Sequence, residues 1–262
     1  MNGTQDALTV TSVTKSFGGV HAVADVSFNV RDGSLTALIG PNGAGKSTMF
    51  NLFTNLYIAD SGTIAYFGQN LAGLRSDKIA RLGLIRTFQT ARVFAGMTVL
   101  ENVLAGAHLG VKANFWEEAL HLPRATSEER TVREKARHLV DVLGLATVAD
   151  DPAISLPLGL QKLLEIARAL MAGPRVLLLD EPAAGLNDTE TLRLAELLVA
   201  INAAGVTMVV VEHNMSLVMS ISQDIVVLDA GRVIARGTPA EVQSDERVIE
   251  AYVGRAADTV AN

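Results

Sequence analysis

A glycine-rich stretch at residues 40–47 has the composition of a loop that binds phosphate. It runs from Gly40 to Ser47 as GPNGAGKS, which fits the pattern G-x-x-x-x-G-K-[ST]. Glycines allow backbone N–H groups to curl around phosphate oxygens, and the N-terminus of a following helix adds a favourable dipole. In such a loop Lys46 reaches the β- and γ-phosphates of a nucleotide, and the Ser47 hydroxyl reaches Mg²⁺. Because an apolar strand is predicted before the stretch and a helix after it, a phosphate loop is favoured over a chance glycine turn.

Two adjacent carboxylates follow an apolar run at residues 176–179. A buried parallel strand would place Asp180 at its carboxyl edge beside the phosphate loop, where an acid can hold Mg²⁺ through its water shell. Glu181 would point to the other side of the strand, where it can act as general base or orient the attacking water. Alone, such a pair is an ordinary polar strand end. Together with the phosphate loop, it favours nucleotide hydrolysis.

A histidine and a glutamine are weaker candidates. His213 follows the apolar run at residues 206–211 and could hydrogen-bond a terminal phosphate, although a lone strand-end histidine is more often structural. Gln89 lies in the segment RTFQ at residues 86–89 and, taken alone, is an ordinary surface glutamine. Either residue gains a functional interpretation only in combination with the other motifs.

Strands and helices alternate along most of the chain, which predicts an α/β fold with a doubly wound parallel sheet. The strands are predicted at residues 7–13, 26–30, 34–39, 62–67, 176–179, 206–211, 225–228 and 232–235. The longer helices are predicted at residues 46–56, 160–171 and 189–202. The phosphate loop, Asp180 and His213 each follow a predicted strand, so we expect this sheet to position them.

Residues 73–155 differ from the rest because helix formers and helical spacing of apolar residues dominate there. They predict a helical subdomain inserted into the α/β core. Thr126 with Glu129, and Thr238 with Glu241, have the spacing of capping boxes and predict two helix starts. One predicted apolar helix face consists of Val132, Ala136, Leu139, Val140 and Leu143.

The composition of the 262 residues excludes several classes of protein. With 49% hydrophobic and 19% charged residues, the chain is not mainly disordered. A net charge of −6 without a basic cluster argues against binding to nucleic acid. The absence of cysteine excludes disulfides, thiolate metal sites and cysteine nucleophiles. No apolar run approaches the ~18 residues of a membrane span, and the N-terminus has no signal-peptide core, so we expect a soluble cytoplasmic protein.

The order of these motifs resembles the ATP-binding subunit of an ABC transporter, from about Leu8 to Tyr252. Three stretches resemble the branched-chain amino-acid importer subfamily: RTFQTARVFAGMTVLENVLAGAHL at 86–109, LEIARALMAGPRVLLLDEPAAGLN at 164–187, and VEHNMSLVMSISQDIVVLDAGRVIARGTPAEV at 211–242. The resemblance implies a P-loop NTPase core with a parallel sheet, an N-terminal antiparallel β subdomain and an inserted helical subdomain. It also implies one domain over residues 1–262, with a core lobe at about 6–85 and 160–254, an insert at about 86–159 and a flexible tail at 255–262.

The resemblance further implies roles for individual residues. Phe17 would stack on adenine, Gln89 would contact Mg²⁺ and report to the helical insert, and His213 would contact the γ-phosphate. Residues 184–187 would form the D-loop, which communicates across a dimer. The residues expected to act in catalysis are Glu181, His213 and Lys46, and those expected to hold Mg²⁺ are Ser47, Gln89 and Asp180. Those expected to bind ATP are Phe17, Gly40, Pro41, Asn42, Gly43, Ala44, Gly45, Lys46, Ser47, Thr48, Gln89, Leu158 and Gly159.

One segment departs from the family pattern. The family signature begins Leu-Ser-Gly-Gly-Gln, whereas residues 156–161 read LPLGLQ, a stretch that we call the signature segment. Pro157 has no hydroxyl to donate to a γ-phosphate. The N–H groups of Leu158 and Gly159 and the N-terminus of the next helix remain available. We therefore expect an altered contact rather than a loss of function.

The function implied by the resemblance is ATP hydrolysis that energises an ABC importer, for branched-chain or related amino acids, through ATP-driven dimer closure. The implied partners are transmembrane permease subunits, a second ATP-binding subunit (another copy or a paralogue) and, indirectly, a periplasmic or extracellular solute-binding protein. No nucleic acid is expected. The implied location is peripheral, at the cytoplasmic face of the cell membrane.

Three other classes are less well supported by the sequence. A soluble regulatory ABC ATPase, not attached to a permease, usually has two cassettes, coiled-coil arms or basic extensions, and none is visible. A GTPase switch or small-molecule kinase is disfavoured, since the guanine motif Asn-Lys-x-Asp is absent. A binding module with a degenerate site has only Pro157 in its favour. The solute is not encoded in this chain, so urea, amides and other small polar solutes stay open.

Overall fold

The computed structural model describes residues 5–87, 93–109 and 123–252, and it describes residues 108–109 and 123–128 by their backbone alone. Gln89 and the predicted tail at 255–262 lie outside the described residues.

An antiparallel sheet forms one face of the molecule. Its strands are β1 (Asp6–Phe17), β2 (Val20–Arg31), β4 (Ser61–Tyr66) and β5 (Gln69–Asn70), in the spatial order β2-β1-β4-β5. Gly18 and Gly19 join β1 to β2 with φ of +53° and +85°, which a two-residue hairpin turn requires at both positions. All pairs in this sheet are antiparallel, as the family resemblance implies for an N-terminal β subdomain.

A second, mostly parallel sheet lies at the centre. Its strands are β3 (Leu35–Ile39), β6 (Leu84–Arg86), β7 (Val176–Asp180), β8 (Thr207–Val211), β9 (Asp224–Asp229) and β10 (Arg232–Gly237). Their spatial order is β10-β9-β3-β8-β7-β6. Five of these six strands run parallel, and β10 runs antiparallel to its neighbour β9. Every residue of β3, β7 and β8 is buried, which is typical of parallel strands covered on both faces.

Helices surround the central sheet and connect its strands. They are α1 (Lys46–Phe53), α2 (Ser76–Arg81), α3 (Val99–Ala105), α4 (Pro123–Val142), α5 (Leu158–Met171), α6 (Asp188–Ala203), α7 (Met215–Ile221) and α8 (Pro239–Ser244), followed by helical residues 246–252. Helix α4 begins at Pro123, so Thr126 lies inside the helix, and the predicted helix start at Thr126 is wrong. Proline is favoured in the first turn of a helix because its φ is already helical. Within the described ranges, no helix combines the length and apolar character needed to cross a bilayer.

Alternating side chains of the buried strands belong to two separate cores. Leu177 of β7 belongs to the cluster that contains Leu164 of α5, while the next residue, Leu178, belongs to the cluster that contains Phe50 of α1. Since successive strand residues point to opposite faces, a continuous apolar run fills both cores. Both faces of the sheet are therefore packed, and this packing holds the strand ends from which the loops at the carboxyl edge leave.

The helices α3, α4 and α5 share a core beside the sheet. The predicted apolar face is buried there through Ala136 and Val140 of α4 and through Leu143, which follows the end of α4; Val103 of α3 belongs to the same cluster. The boundaries of the inserted subdomain, about 86–159, stay a prediction.

Candidate functional site

Three parallel strands end in one row at the carboxyl edge of the central sheet. Leu38 of β3 pairs with Val211 of β8, which pairs with Asp180 of β7. Just beyond this row the chain enters the phosphate loop, reaches Glu181 after β7 and reaches His213 after β8. The carboxyl edge of a parallel sheet is where α/β proteins bind ligands, so the three predicted motifs meet there.

The phosphate loop depends on glycine at two positions where the backbone is crowded. Gly40 and Gly45 have φ of +148° and +105°, a region that other residues rarely adopt. A Cβ at Gly40 would overlap the Leu228 carbonyl, and one at Gly45 would overlap the Ala22 carbonyl. Neighbouring strands thus hold the loop closely, and this fixes the orientation of its N–H groups.

Lys46 lies at the start of α1 with only 6% of its surface exposed. Its Nζ donates to the carbonyls of Gly40 at 2.7 Å and Pro41 at 3.0 Å. The helix has no side-chain cap, and Ser47 in its first turn is exposed. The ammonium and the first-turn N–H groups therefore lie together at the loop, where both favour an anion.

Asp180 forms a buried ion pair that sequence reasoning missed. Arg86 Nη2 lies 2.7 Å from Asp180 Oδ2, and the two side chains are 10% and 5% exposed. Arg86 Nη1 donates to Asn51 Oδ1 at 2.6 Å, and the guanidinium lies 5.5 Å from the Phe50 ring. The arginine therefore joins the end of β7 to helix α1. Its place beside Thr87-Phe88-Gln89 was the available signal, but its partners depend on strand order.

Glu181 and His213, 32 residues apart in the chain, are brought together. Glu181 Oε1 lies 3.1 Å from His213 Nε2. The Glu181 N–H donates to the Val211 carbonyl at 2.9 Å, and its φ is +48°. A left-handed backbone is costly for a glutamate, and such strain is typical of functional sites. It turns the chain out of the strand at the point where the carboxylate meets the histidine.

Glu212 is a second residue that the sequence did not single out. Its side chain is buried, at 3% exposure, and its oxygens accept only from backbone groups in the described contacts. Oε1 accepts the Ala183 N–H at 2.6 Å, and Oε2 accepts the N–H groups of His213 at 2.9 Å and Asn214 at 3.3 Å. Its position next to His213 was visible in the sequence, but its contact across strands was not.

Lys162 connects helix α5 to the same place. Its buried Nζ donates to the Glu181 carbonyl at 3.3 Å. A lysine on the mostly apolar inner face of a helix is unusual, since burial of a charge requires partners. Helix α5 thus contacts the backbone of Glu181, the residue that the sequence predicts to act on water.

The signature segment packs against the D-loop of the same chain. Pro157 is the N-cap of α5 and makes no side-chain cap, and Leu158 is exposed. A Cβ at Gly185 would lie 2.6 Å from Leu158 Cδ2, and one at Gly159 would lie 2.7 Å from Glu190 Oε1. The first N–H groups of any helix lack intrahelical partners, so this helix start keeps the donors that the sequence predicts.

Phe17 lies on the surface at the end of β1, 43% exposed. Its ring packs edge-on against Tyr57 at 5.1 Å, and Lys15 Nζ lies 5.4 Å from its centroid. The Lys15 ammonium also pairs with Asp60 at 2.7 Å. Neighbours therefore hold an exposed ring, as a stacking role requires, and the adenine contact stays a prediction. Gln89 lies outside the described residues.

The residues at the sheet edge fit a magnesium ion bound together with phosphate. Among the described residues, no cluster of three or more His, Asp or Glu could hold a metal by itself. Mg²⁺ is commonly held by one or two protein oxygens, water and substrate phosphates. Asp180 already accepts a cationic partner at this edge, and the Ser47 hydroxyl is exposed at the loop. The donor set thus suits Mg²⁺ with a nucleotide.

Comparison with known proteins agrees with this geometry. Residues 23–184 match the family model described as ABC transporter. Residues 232–258 match a second model, described as branched-chain amino acid ATP-binding cassette transporter.

Similar sequences span nearly the whole chain. The chain is 42% identical over 250 residues to the high-affinity branched-chain amino acid transport ATP-binding protein BraF of Pseudomonas aeruginosa, covering 95% of this chain and 98% of BraF. It is 40% identical over 253 residues to LivG of Escherichia coli K12, a protein of the same description, covering 96% and 99%.

Similar solved structures confirm the predicted α/β P-loop fold. The ADP conformation of an ATP-binding cassette of an ABC transporter superposes with a TM-score of 0.82 at 31% identity, covering 96% of this chain and 100% of that one. A dimeric post-hydrolysis cassette bound to ADP and phosphate superposes with a TM-score of 0.75 at 25% identity, covering 88% and 98%. This chain belongs to the ABC transporter family, as one of its ATP-binding cassettes.

Proposed function

We propose that this chain is the ATP-hydrolysing subunit of an ABC importer for branched-chain or related amino acids. The observation that carries the proposal is the pairing of Glu181 with His213 at 3.1 Å, at the sheet edge from which the phosphate loop leaves. The names of BraF and LivG, each similar over nearly the whole chain, support the class of solute.

ATP binding uses the phosphate loop, an aromatic ring and the side chains expected to hold Mg²⁺. The N–H groups of residues 40–47 surround the phosphates, and the Lys46 ammonium transfers from the Gly40 and Pro41 carbonyls to the β- and γ-phosphates. Phe17 stacks on adenine. Ser47, Asp180 and Gln89 would hold Mg²⁺, which would neutralise charge on the phosphate oxygens. Arg86 keeps the Asp180 carboxylate in place before that happens.

Hydrolysis follows from the placement of one carboxylate. Glu181 orients a water molecule and accepts its proton, while the water oxygen bonds to the γ-phosphorus and the bond to the ADP oxygen breaks. The products are ADP and phosphate. His213 contacts the γ-phosphate and, at 3.1 Å, also restrains the Glu181 carboxylate. A conformer held in advance lowers the cost of reaching the transition state.

The complete site requires a second subunit, either another copy or a paralogue. In the closed arrangement the helix start at Leu158 and Gly159 of each subunit covers the ATP on the other. ATP therefore favours the closed dimer, because only that state provides contacts from both sides. Hydrolysis removes the bridging phosphate and allows reopening. Permease subunits bound to the helical subdomain convert this cycle into alternating access, and the chain lies peripherally on the cytoplasmic face of the membrane.

The test is reconstitution. The chain is purified from membranes with its permease, placed in proteoliposomes with the solute-binding protein, and assayed for ATP-dependent uptake of leucine, isoleucine, valine and urea. We expect uptake of the branched-chain amino acids, and none when Glu181→Gln replaces the wild-type chain. ATP hydrolysis by a chain that does not co-purify with a permease would instead favour a soluble regulatory ABC ATPase. Uptake of urea alone would contradict the proposed solute class.

A further inference from the structure

We propose that Glu212 is a positioning residue for ATP hydrolysis: its buried carboxylate joins the loops after β7 and β8 and thereby sets the distance between Glu181 and His213. The inference rests on the proposed function of those two side chains. Glu212 itself touches neither the nucleotide nor the water in this account. It acts through the backbone of the residues that do.

The carboxylate connects the strands at the point where their own pairing ends. The ladder between β7 and β8 stops at Asp180 and Val211, and the Glu181 N–H makes one more bond to the Val211 carbonyl. Beyond that bond, Glu212 Oε1 accepts from Ala183, on the β7 side, at 2.6 Å. The side chain thus continues the cross-strand connection past the last backbone bond.

The other oxygen holds the histidine. Oε2 accepts the N–H groups of His213 at 2.9 Å and Asn214 at 3.3 Å. Asn214 in turn caps α7, since its side chain accepts from the Leu217 N–H at 3.1 Å. One carboxylate therefore fixes the histidine backbone, the start of the following helix and the loop that carries Glu181.

The chemistry of the three contacts requires an ionised carboxylate. All three partners are donors, and a carboxylate accepts at both oxygens, whereas a glutamine would direct its NH₂ group at an N–H on one side. Bonds to a charged acceptor are about twice as strong as neutral ones, which compensates for the burial of Glu212. An aspartate is one methylene shorter and would not span both loops. Glu212→Gln keeps the size but disconnects one loop.

The same contact reaches the predicted D-loop. Ala183 directly precedes residues 184–187, and the Ala184 N–H donates to the Glu181 carbonyl at 3.1 Å. Because Glu181 already has a left-handed backbone with φ of +48°, its conformation depends on these surrounding bonds. Release of Ala183 would let Glu181 relax and would lengthen its contact with His213.

The experiment compares Glu212→Gln with wild type by kcat, ATP affinity at fixed Mg²⁺, and thermal midpoint. We expect kcat to fall at least about tenfold, because one hydrogen bond to a charged acceptor no longer positions Glu181. ATP affinity should stay within about twofold of wild type. In a His213→Ala background the further effect of Glu212→Gln should be below about twofold, because residues that act as a unit are not additive. Glu241→Gln is the matched control, since the Glu241 carboxylate also accepts a backbone N–H, that of Thr238, but lies on α8. Its kcat should equal that of wild type.

A purely structural role would lower ATP affinity and thermal midpoint together with kcat, and the effects would add in the His213→Ala background; that result, or a wild-type kcat, overturns the inference. If Glu212→Gln does not fold, an ester in place of the amide at Ala183 removes the N–H that Glu212 accepts. The kcat, ATP affinity and thermal midpoint of that variant then test the inference in the same way. Loss of hydrolysis in Glu181→Gln with no effect of Glu212→Gln contradicts this inference alone. Wild-type hydrolysis by Glu181→Gln contradicts the proposed function.

Discussion

The ammonium of Lys46 donates to two carbonyls of its own loop, so phosphate binding exchanges existing hydrogen bonds for stronger ones. The Asp180 carboxylate is likewise held by Arg86, and Glu212 is satisfied by backbone N–H groups. Each charged group that the account uses therefore has a defined position in this structure. On ATP binding we expect Lys46 and Asp180 to gain new partners, whereas Glu212 keeps its backbone contacts.

Lys46→Ala should weaken ATP binding about 10- to 100-fold, the usual worth of hydrogen bonds from a charged donor. The backbone of the loop would remain, so binding is reduced and not abolished. Isothermal titration calorimetry at fixed Mg²⁺ measures the effect. Lys78→Ala removes the same charge from an exposed site on α2 and should leave the affinity unchanged. Equal affinities for both variants would contradict the phosphate-loop assignment.

Arg86→Ala should lower the free energy of unfolding by about 3–5 kcal/mol, because it leaves the buried Asp180 carboxylate without its guanidinium partner. Arg75→Ala is the matched control: Arg75 pairs with Asp77 at 3.0 Å, but the two side chains are 84% and 50% exposed. Such a surface pair contributes less than about 1 kcal/mol. Urea denaturation should show a larger loss of unfolding free energy for Arg86→Ala than for Arg75→Ala. Similar losses would show that the buried pair stabilises the protein no more than a surface pair does.

The elements with long periodic patterns were predictable, and the short ones were not. The buried runs of β7 and β8 read directly as strands, whereas β5 and β6, with two and three residues, are too short to show a period. Helix α1 ends at Phe53, earlier than predicted, because Asn55 adopts φ of +51° and donates to the Leu71 and Leu74 carbonyls. These determinants are tertiary contacts, which no local window contains.

The candidate site shows the same division. Residue type and spacing indicated the phosphate loop and the carboxylate pair, because their chemistry is local to each motif, whereas the role of His213 came from the family resemblance. The roles of Arg86, Lys162 and Glu212 depend on which strands and helices are neighbours. The Glu212 bond to Ala183 joins residues 29 apart in the chain, so only the sheet order reveals it.

The capping box of α8 provides a test at the scale of one element. The Thr238 N–H and hydroxyl both donate to the Glu241 carboxylate, and these bonds lower the pKa of Glu241 below its ordinary 4.5. A lowered pKa in the folded state stabilises the protein above pH 4.5, and this stabilisation is lost as the pH falls through the lowered value.

Thr238→Ala should therefore raise the pKa of Glu241 toward 4.5 and lower the thermal midpoint at pH 7 by about 2–4 °C. Carbon-detected NMR titration of the Glu241 carboxyl and calorimetry measure the two effects. The difference in midpoint between variant and wild type should shrink on acidification. An unchanged pKa would mean that the hydroxyl bond contributes nothing.

At the scale of the whole molecule, the proposed dimer would build each complete site from two subunits. The phosphate loop, Glu181 and His213 meet at the sheet edge, while the exposed helix start at Leu158 belongs to a segment packed on the D-loop. Lys162, the residue that follows that segment in α5, donates to the Glu181 carbonyl. In the proposed dimer, we therefore expect a second subunit bound at the signature segment to affect Glu181 through α5.

The most direct test of the account is the fate of radiolabelled ATP on purified Glu181→Gln, followed by size-exclusion chromatography with Mg²⁺. We expect the variant to elute as a dimer carrying intact ATP, whereas wild type releases phosphate and elutes as a monomer. Release of phosphate by the variant at the wild-type rate would contradict the central claim that Glu181 prepares the water for attack.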